Sequence, residues 1–190
     1  MKLLHIDSSA LGTHSATRHL TARLAERLTQ GRADVEVVHR DLDAAPLPHL
    51  DGRALAGDAD AAALSAAVLD EFLAADTILI GAPMYNFGIP STLKAWIDRV
   101  AVAGKTFRYT AAGPEGLVRG KTVIVAIAAG GVHAGQPTDF VEPYLRQVFG
   151  FIGVTDLRVV RADGLALSAD HRREAIDRAL DGSRDRALAA

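Results

Sequence analysis

The 190-residue chain is long enough to bury a substantial core as one domain, and too short for two comfortable ones. With 21 Lys plus Arg against 23 Asp plus Glu, and a net charge of -2, it carries neither the basic footprint of a nucleic-acid binder nor a polybasic membrane patch. It has no cysteine, which excludes disulfides, thiolate metal sites and cysteine nucleophiles together.

In chain order, Met1 to Asp7 resembles a signal segment only briefly, because the apolar run stops at Asp7. No apolar run approaches transmembrane length, and a soluble, cytoplasmic protein without a membrane partner is expected. Leu3 to Ile6 is predicted as the first strand, followed by D-S-S-A-L-G-T-H-S-A-T. Ser15 is placed to cap a helix with Leu20, Leu24 and Leu28 on its buried face and Gly31 near its end. Val35, Val37 and Val38 make a second strand, and Pro46 and Pro48 break the chain after it. The alanine-rich segment from Asp58 to Ala75 reads as a helix with Leu64, Val68, Leu69 and Phe72 on one side.

Ile78, Leu79 and Ile80 form a continuous apolar run bounded by Gly81 and Pro83, the pattern of a strand buried on both faces of a parallel sheet. Pro90 and Ser91 open the next helix, whose apolar face is Leu93, Trp96, Ile97 and Val100. Thr106 to Thr110, with Gly113-Pro114 behind it, is predicted as a short extended excursion on the surface. Val123 to Ala128 gives a fourth strand ending at Gly130-Gly131, a helix runs from about Phe140 to Phe149, and Leu157 to Arg161 gives the fifth strand. The last helix is capped by Ser168, with Ala175, Ile176, Ala179 and Leu180 along one side. Five strands alternating with five helices imply an α/β protein, a parallel sheet with helices on both faces. At this length the flavodoxin-like order is the natural one, as a single domain over residues 1–190.

The loops after the first, third and fourth strands then open on one edge of the sheet. In the first, the Ser9, Ser15 and Thr17 hydroxyls accompany the free N–H groups and positive dipole end of a helix start, which suit a phosphate. In the second, Met84, Tyr85, Asn86, Phe87 and Gly88 offer a flat apolar surface and an amide for the edge of a heterocycle. In the third, Gly130 and Gly131 let a ligand approach the backbone closely, and His133 follows. No G-x-G-x-x-G occurs. The triplets Gly104-Lys105-Thr106 and Gly120-Lys121-Thr122 have Arg99 and Glu115 where a triphosphate loop needs glycine. Neither H-E-x-x-H nor a carboxylate–histidine cluster can be read, so no metal site is expected, and no G-x-S-x-G elbow appears. A phosphate site, a flat aromatic surface and a close glycine backbone together point to a mononucleotide with a broad ring. Flavin mononucleotide (FMN) is the obvious candidate. Because such a cofactor carries the chemistry, no catalytic side chain is needed.

The motifs D-S-S with S-A-T six residues on, A-P-M-Y-N-F-G-I-P-S-T-L-K-A-W-I-D, T-F-R-Y-T-A-A-G-P-E-G-L, and G-G-V-H followed by P-Y-L and G-F-I-G run through nearly the whole chain. Together they resemble the FMN-dependent NADH:quinone oxidoreductase and azoreductase family. The resemblance implies a flavodoxin-like homodimer with its sites at the subunit interface. It implies that NADH reduces FMN and that a quinone or azo compound is reduced in turn; one flavin face with room for one flat ring at a time then predicts ping-pong kinetics. Carried over, Ser9, Ser15, Ala16 and Thr17 would hold the phosphate. Pro83, Met84, Tyr85, Asn86 and Phe87 would hold the isoalloxazine, with Gly130 and Gly131 at its pyrimidine end. Phe107, Tyr109 and His133 would line the substrate cavity. Ala128 and Ala129 stand where family members often carry a hydroxyl residue and an arginine. A flavodoxin-type electron carrier is the alternative, and a net charge of -2 fits its docking chemistry poorly.

Overall fold

The apolar runs pair into a parallel sheet. In the computed structural model, which describes residues 1–186, the strands are β1 (Lys2–Asp7), β2 (Glu36–Asp41), β3 (Thr77–Pro83), β4 (Phe107–Thr110), β5 (Gly113–Gly116), β6 (Thr122–Ala128) and β7 (Asp156–Ala162). Five of them form one sheet in the order β2-β1-β3-β6-β7, parallel throughout, while β4 and β5 pair as a separate antiparallel ribbon. The helices are α1 (Ala16–Thr29), α2 (Gly52–Leu55), α3 (Ala59–Ala74), α4 (Ser91–Val100), α5 (Val141–Ile152) and α6 (Ala169–Arg186).

Every residue of β3 is buried, because this strand sits between β1 and β6 and is covered on both faces. Its side chains alternate as a pleat requires. Ile78, Ile80 and Ala82 meet Phe72 of α3, Trp96 of α4 and Phe149 of α5, whereas Leu79 meets Leu20 and Leu24 of α1 on the face that α6 also covers. Trp96 anchors the larger core: its ring is fully buried, edge-on to Phe72 at 6.0 Å and tilted against Phe149 at 6.5 Å. On the α1 face, Gly81 admits the helix closely. A Cβ there would lie 3.1 Å from Asp7 Oδ1 and 3.4 Å from Thr17 Cβ.

Three features differ from the sequence reading. The second strand begins at Glu36 and runs on through His39, Arg40 and Asp41. As an edge strand it needs no continuous apolar run, and its backbone pairs residue for residue with β1 while Val37 stays 45% exposed. Asp51 caps the one-turn helix α2, so among the described residues six α-helices stand where five helices were expected. The excursion after α4 is a hairpin, and it starts inside the protein. Thr106 is fully buried and its hydroxyl donates to the Val100 carbonyl at 2.7 Å, fastening the ribbon to the end of α4.

Candidate functional site

From β1 the chain moves out to the edge strand β2, returns to β3 on the far side of β1, and continues outward through β6 to β7. The direction of travel reverses between β1 and β3. That reversal leaves a crevice at the carboxyl ends of those strands, where ligands bind in open α/β sheets.

Loop one enters α1 through Ser15. Its Oγ accepts from the Arg18 N–H at 3.2 Å, and lies 3.0 Å from Thr17 Oγ1. The N–H groups of Ala16 and Thr17 have no acceptor among the described residues, and they point out of the positive end of the helix. Ser15 and Thr17 are almost fully buried, so their hydroxyls are fixed in place.

The loop after β3 is a two-residue turn. The Tyr85 N–H donates to the Gly88 carbonyl at 2.9 Å and the Gly88 N–H returns the bond to Tyr85 at 3.0 Å. Asn86 and Phe87 between them both have left-handed backbones, with φ of 49° and 67°. Asparagine tolerates that region; for phenylalanine it is strained, and such strain collects at ligand sites. The turn holds the Phe87 ring 52% exposed, edge-on to His133 with centroids 5.8 Å apart. Besides the flat surface expected of it, Tyr85 links two loops. Its hydroxyl lies 3.0 Å from Ser9 Oγ and accepts from the Ala10 N–H at 3.2 Å, tying this turn to the first loop. Met84 packs on the core and its N–H donates to the Ala128 carbonyl at 2.8 Å, tying it to the third. Pro83 is buried at the end of β3, opposite Ala128.

After β6, the loop following β7 braces the glycines. Gly164 N–H donates to the Gly131 carbonyl at 2.8 Å and Ala166 N–H to the Gly130 carbonyl at 3.0 Å. At Gly131 a Cβ would come within 2.8 Å of His133 Nε2, so any larger residue there would displace the His133 ring. The His133 ring is held by Thr138 Oγ1, 2.9 Å from Nδ1. Its backbone N–H and that of Ala134 both donate to Asp163 Oδ2 at 2.8 Å. Asp163 is in turn near Arg161, which reaches Asp139 at 2.6 Å.

Phe107 and Tyr109 lie apart from this cluster within the chain. Phe107 packs on Phe151 at 4.6 Å and on Tyr109 at 5.6 Å; among the described residues neither ring meets Phe87 or His133. Tyr109 is 76% exposed.

Sequence reading missed two groups. Arg18 donates from its guanidinium to the Ser9 carbonyl at 2.9 Å and binds Asp41 in a two-pronged pair at 2.6 and 2.8 Å, bracing the first loop against β2. The Arg18 hydrogen bond outweighs burial and, helped by the Ala44 and Asp43 N–H groups, lowers the Asp41 carboxyl to about 2. Second, the expectation of no carboxylate–histidine cluster is wrong. The β1–β2 register sets His5 opposite His39, and Asp7 follows on the same face of β1. Burial pushes the Asp7 carboxyl up, but the two imidazoles and the Thr21 hydroxyl outweigh it and hold it below the usual value. The one available signal was H-x-D in β1, which means nothing until the register supplies His39.

The sequence profile described as "Flavodoxin-like fold" matches residues 1–187. "FMN-dependent NADH:quinone oxidoreductase 1" of Xanthomonas euvesicatoria is 58% identical over 183 residues, covering 96% of this chain and 94% of that one. The chain belongs to the FMN-dependent NADH:quinone oxidoreductase family. A second family member, from Stenotrophomonas maltophilia, is 54% identical over 181 residues, covering 95% of this chain and 93% of its own. Among solved structures, an azoreductase from Bacillus anthracis superposes with a TM-score of 0.91 at 27% identity, over 99% of both chains. The family and the fold read from the motifs therefore stand.

Proposed function

We propose that this chain binds FMN in the crevice between the β1, β3 and β6 loops and, with NADH as electron donor, reduces quinones and azo compounds. The observation that carries the reading is the convergence of three unlike surfaces at one switch point: the donor-rich start of α1, the strained turn that presents Phe87, and the braced Gly130–Gly131 backbone beside His133. These residues fit the cofactor. The Ala16 and Thr17 N–H groups with the Ser15 and Thr17 hydroxyls suit its phosphate without a lysine. The exposed Asn86 amide suits the polar edge of the ring, and Gly130 and Gly131 leave room for its other end.

When bound, FMN supplies two-electron redox chemistry. The chain's task is then orientation. Phe87 offers an apolar edge against which a flat acceptor lies, and the His133 ring, pinned at Nδ1 by Thr138, leaves Nε2 beside Gly131 to exchange a proton. Ala128 and Ala129 offer no side-chain hydrogen bond, so polar recognition at that end falls to backbone groups. The family relationship favours an enzyme over an electron carrier. The purified protein should be yellow, bleach on adding NADH without oxygen, and turn yellow again with a quinone. A colourless protein, or one bleached by NADH that no quinone re-oxidises, would defeat the reading.

A second copy of the chain completes the site. Tyr109 is 76% exposed and Phe140 60% exposed, and an apolar groove of about 570 Å³, lined by Ile89, Phe140, Pro143 and Tyr144, continues from the end of the Tyr85–Gly88 turn. Covering that groove with a two-fold-related copy brings in an aromatic wall that one chain lacks. With one face for one flat ring at a time, NADH and acceptor alternate, giving parallel lines in double-reciprocal plots. Sedimentation should find a dimer; full turnover from a monomer would remove the interface from the site. The described helices include none long and apolar enough to cross a membrane. We place the protein in the cytoplasm, acting on diffusible acceptors.

A further inference from the structure

We propose that His5, Asp7 and His39 form a binding site for a divalent first-row transition metal of the zinc type, separate from the flavin crevice. The three donor atoms lie within 4.8 Å of one another. Asp7 Oδ2 is the centre of the group, 3.4 Å from His5 Nε2 and 3.0 Å from His39 Nε2. Three ligands placed tetrahedrally about an ion at about 2.1 Å stand about 3.4 Å apart. Of the three edges of the cluster, His5–Asp7 already has that length, Asp7–His39 needs to open by a few tenths of an ångström, and His5–His39, within 4.8 Å, must settle to the same length. His39 can move that far, since its side chain is 49% exposed on the edge strand.

Two features mark the cluster as more than a buried hydrogen-bond network. His5 is 91% buried, being 9% exposed, and its Nε2 makes no well-formed hydrogen bond despite lying inside the group. A buried imidazole nitrogen whose contact with a carboxylate is as loose as 3.4 Å is poorly satisfied, and a metal ion between the two would satisfy both. Asp7 is also oriented as a ligand should be: Thr21 Oγ1 donates to Oδ1 at 2.8 Å, which fixes the carboxylate and leaves Oδ2 to face both imidazoles.

The Arg18 guanidinium stands 3.8 Å from Oδ2 and opposes a cation. Its charge is largely met by Asp41 at 2.6 Å and by the Ser9 carbonyl. Two imidazoles and one carboxylate suit zinc, cobalt or nickel and disfavour magnesium and calcium, and the exposed side of His39 leaves a position for water. A metal there would clamp the edge strand β2 to β1 directly beneath the first loop.

Zinc titration by calorimetry of the FMN-loaded protein tests the proposal. One site per chain is expected, weakened at least tenfold in His39→Asn and unchanged in His49→Asn, which alters an exposed histidine elsewhere. Saturating zinc should raise the melting temperature of the wild type and of His49→Asn alike, and by clearly less in His39→Asn and Asp7→Asn. Equal affinity in His39→Asn and wild type, several weak equivalent sites, or no binding at all would overturn it.

Discussion

Phe87 offers a test in which the usual order of two substitutions reverses. Its φ of 67° is left-handed, and a non-glycine residue there pays roughly 1–2 kcal/mol. Phe87→Ala and Phe87→Gly both remove the half-exposed ring and its edge contact with His133, so those losses cancel between them. What remains is the strain, which alanine keeps and glycine relieves, less the roughly 0.4–1 kcal/mol by which glycine's freer unfolded chain disfavours folding. The difference works out at about 0.8 kcal/mol in favour of glycine. At an exposed position inside α3, Ala67→Gly should instead destabilise by about 1 kcal/mol. Urea denaturation of the FMN-free proteins is the right assay, because bound cofactor would mask the comparison through linkage. With a slope of roughly 2–3 kcal/mol per molar, the glycine variant should unfold about 0.3 M later than the alanine variant. Both should bind FMN equally poorly, since both lack the ring. An alanine variant as stable as the glycine one, or more so, would show that the turn is not held left-handed in solution, and with that the argument for a pre-shaped site would fail.

Ser15→Ala should weaken FMN much more than riboflavin, by roughly 1.5–3 kcal/mol for a hydrogen bond to a charged phosphate, and equal losses for both ligands would put the phosphate elsewhere. It should also cost about 1 kcal/mol of stability through the lost cap. Asp41→Asn should reveal an acid-dependent contribution. With the folded carboxyl at about 2 against an ordinary 3.8, its pairing with Arg18 stabilises the fold fully above pH 3.8 and fades as the pH falls through about 2. Partly solvent-screened, the pair should contribute about 1 kcal/mol, so wild type and variant should differ by that much at pH 6 and converge only below the folded value of about 2. A gap independent of pH would assign the effect to packing. His133→Ala should slow turnover by no more than about 10²–10⁴-fold while FMN binding persists, and complete inactivity with normal FMN content would mean that this side chain is indispensable.

How much of this was legible beforehand depended on the range of the interactions. The core strands were readable because the sheet buries them on both faces, so burial itself writes a continuous apolar run at Ile78–Ile80 and Val123–Ala128. The helix starts were readable at Ser15, Asp58 and Ser168 because a cap is satisfied within three residues of itself. Edge strand β2 was only half legible, since one neighbour and partial exposure impose a weaker pattern and its polar end looks like loop. The family and the outline of the crevice followed from motifs that lie on consecutive loops, which a parallel sheet must bring to the same edge.

Register and long-range pairing belonged to the tertiary structure alone. Nothing in the chain announces that Tyr85 reaches back to Ser9, that Arg18 braces Ser9 against Asp41, or that Asp163 anchors His133 across 30 residues. Each is a bond between side chain and loop whose partner is chosen by strand order. The left-handed turn at Asn86-Phe87 was hidden for another reason: sequence preference would put glycine at the second position, and only the paired bonds between Tyr85 and Gly88 force phenylalanine there. His5, Asp7 and His39 show the same limit. Two of them sit on one strand at a spacing of two, but the third arrives 32 residues after Asp7 and becomes a neighbour only because β2 pairs with β1 in one register and not the next.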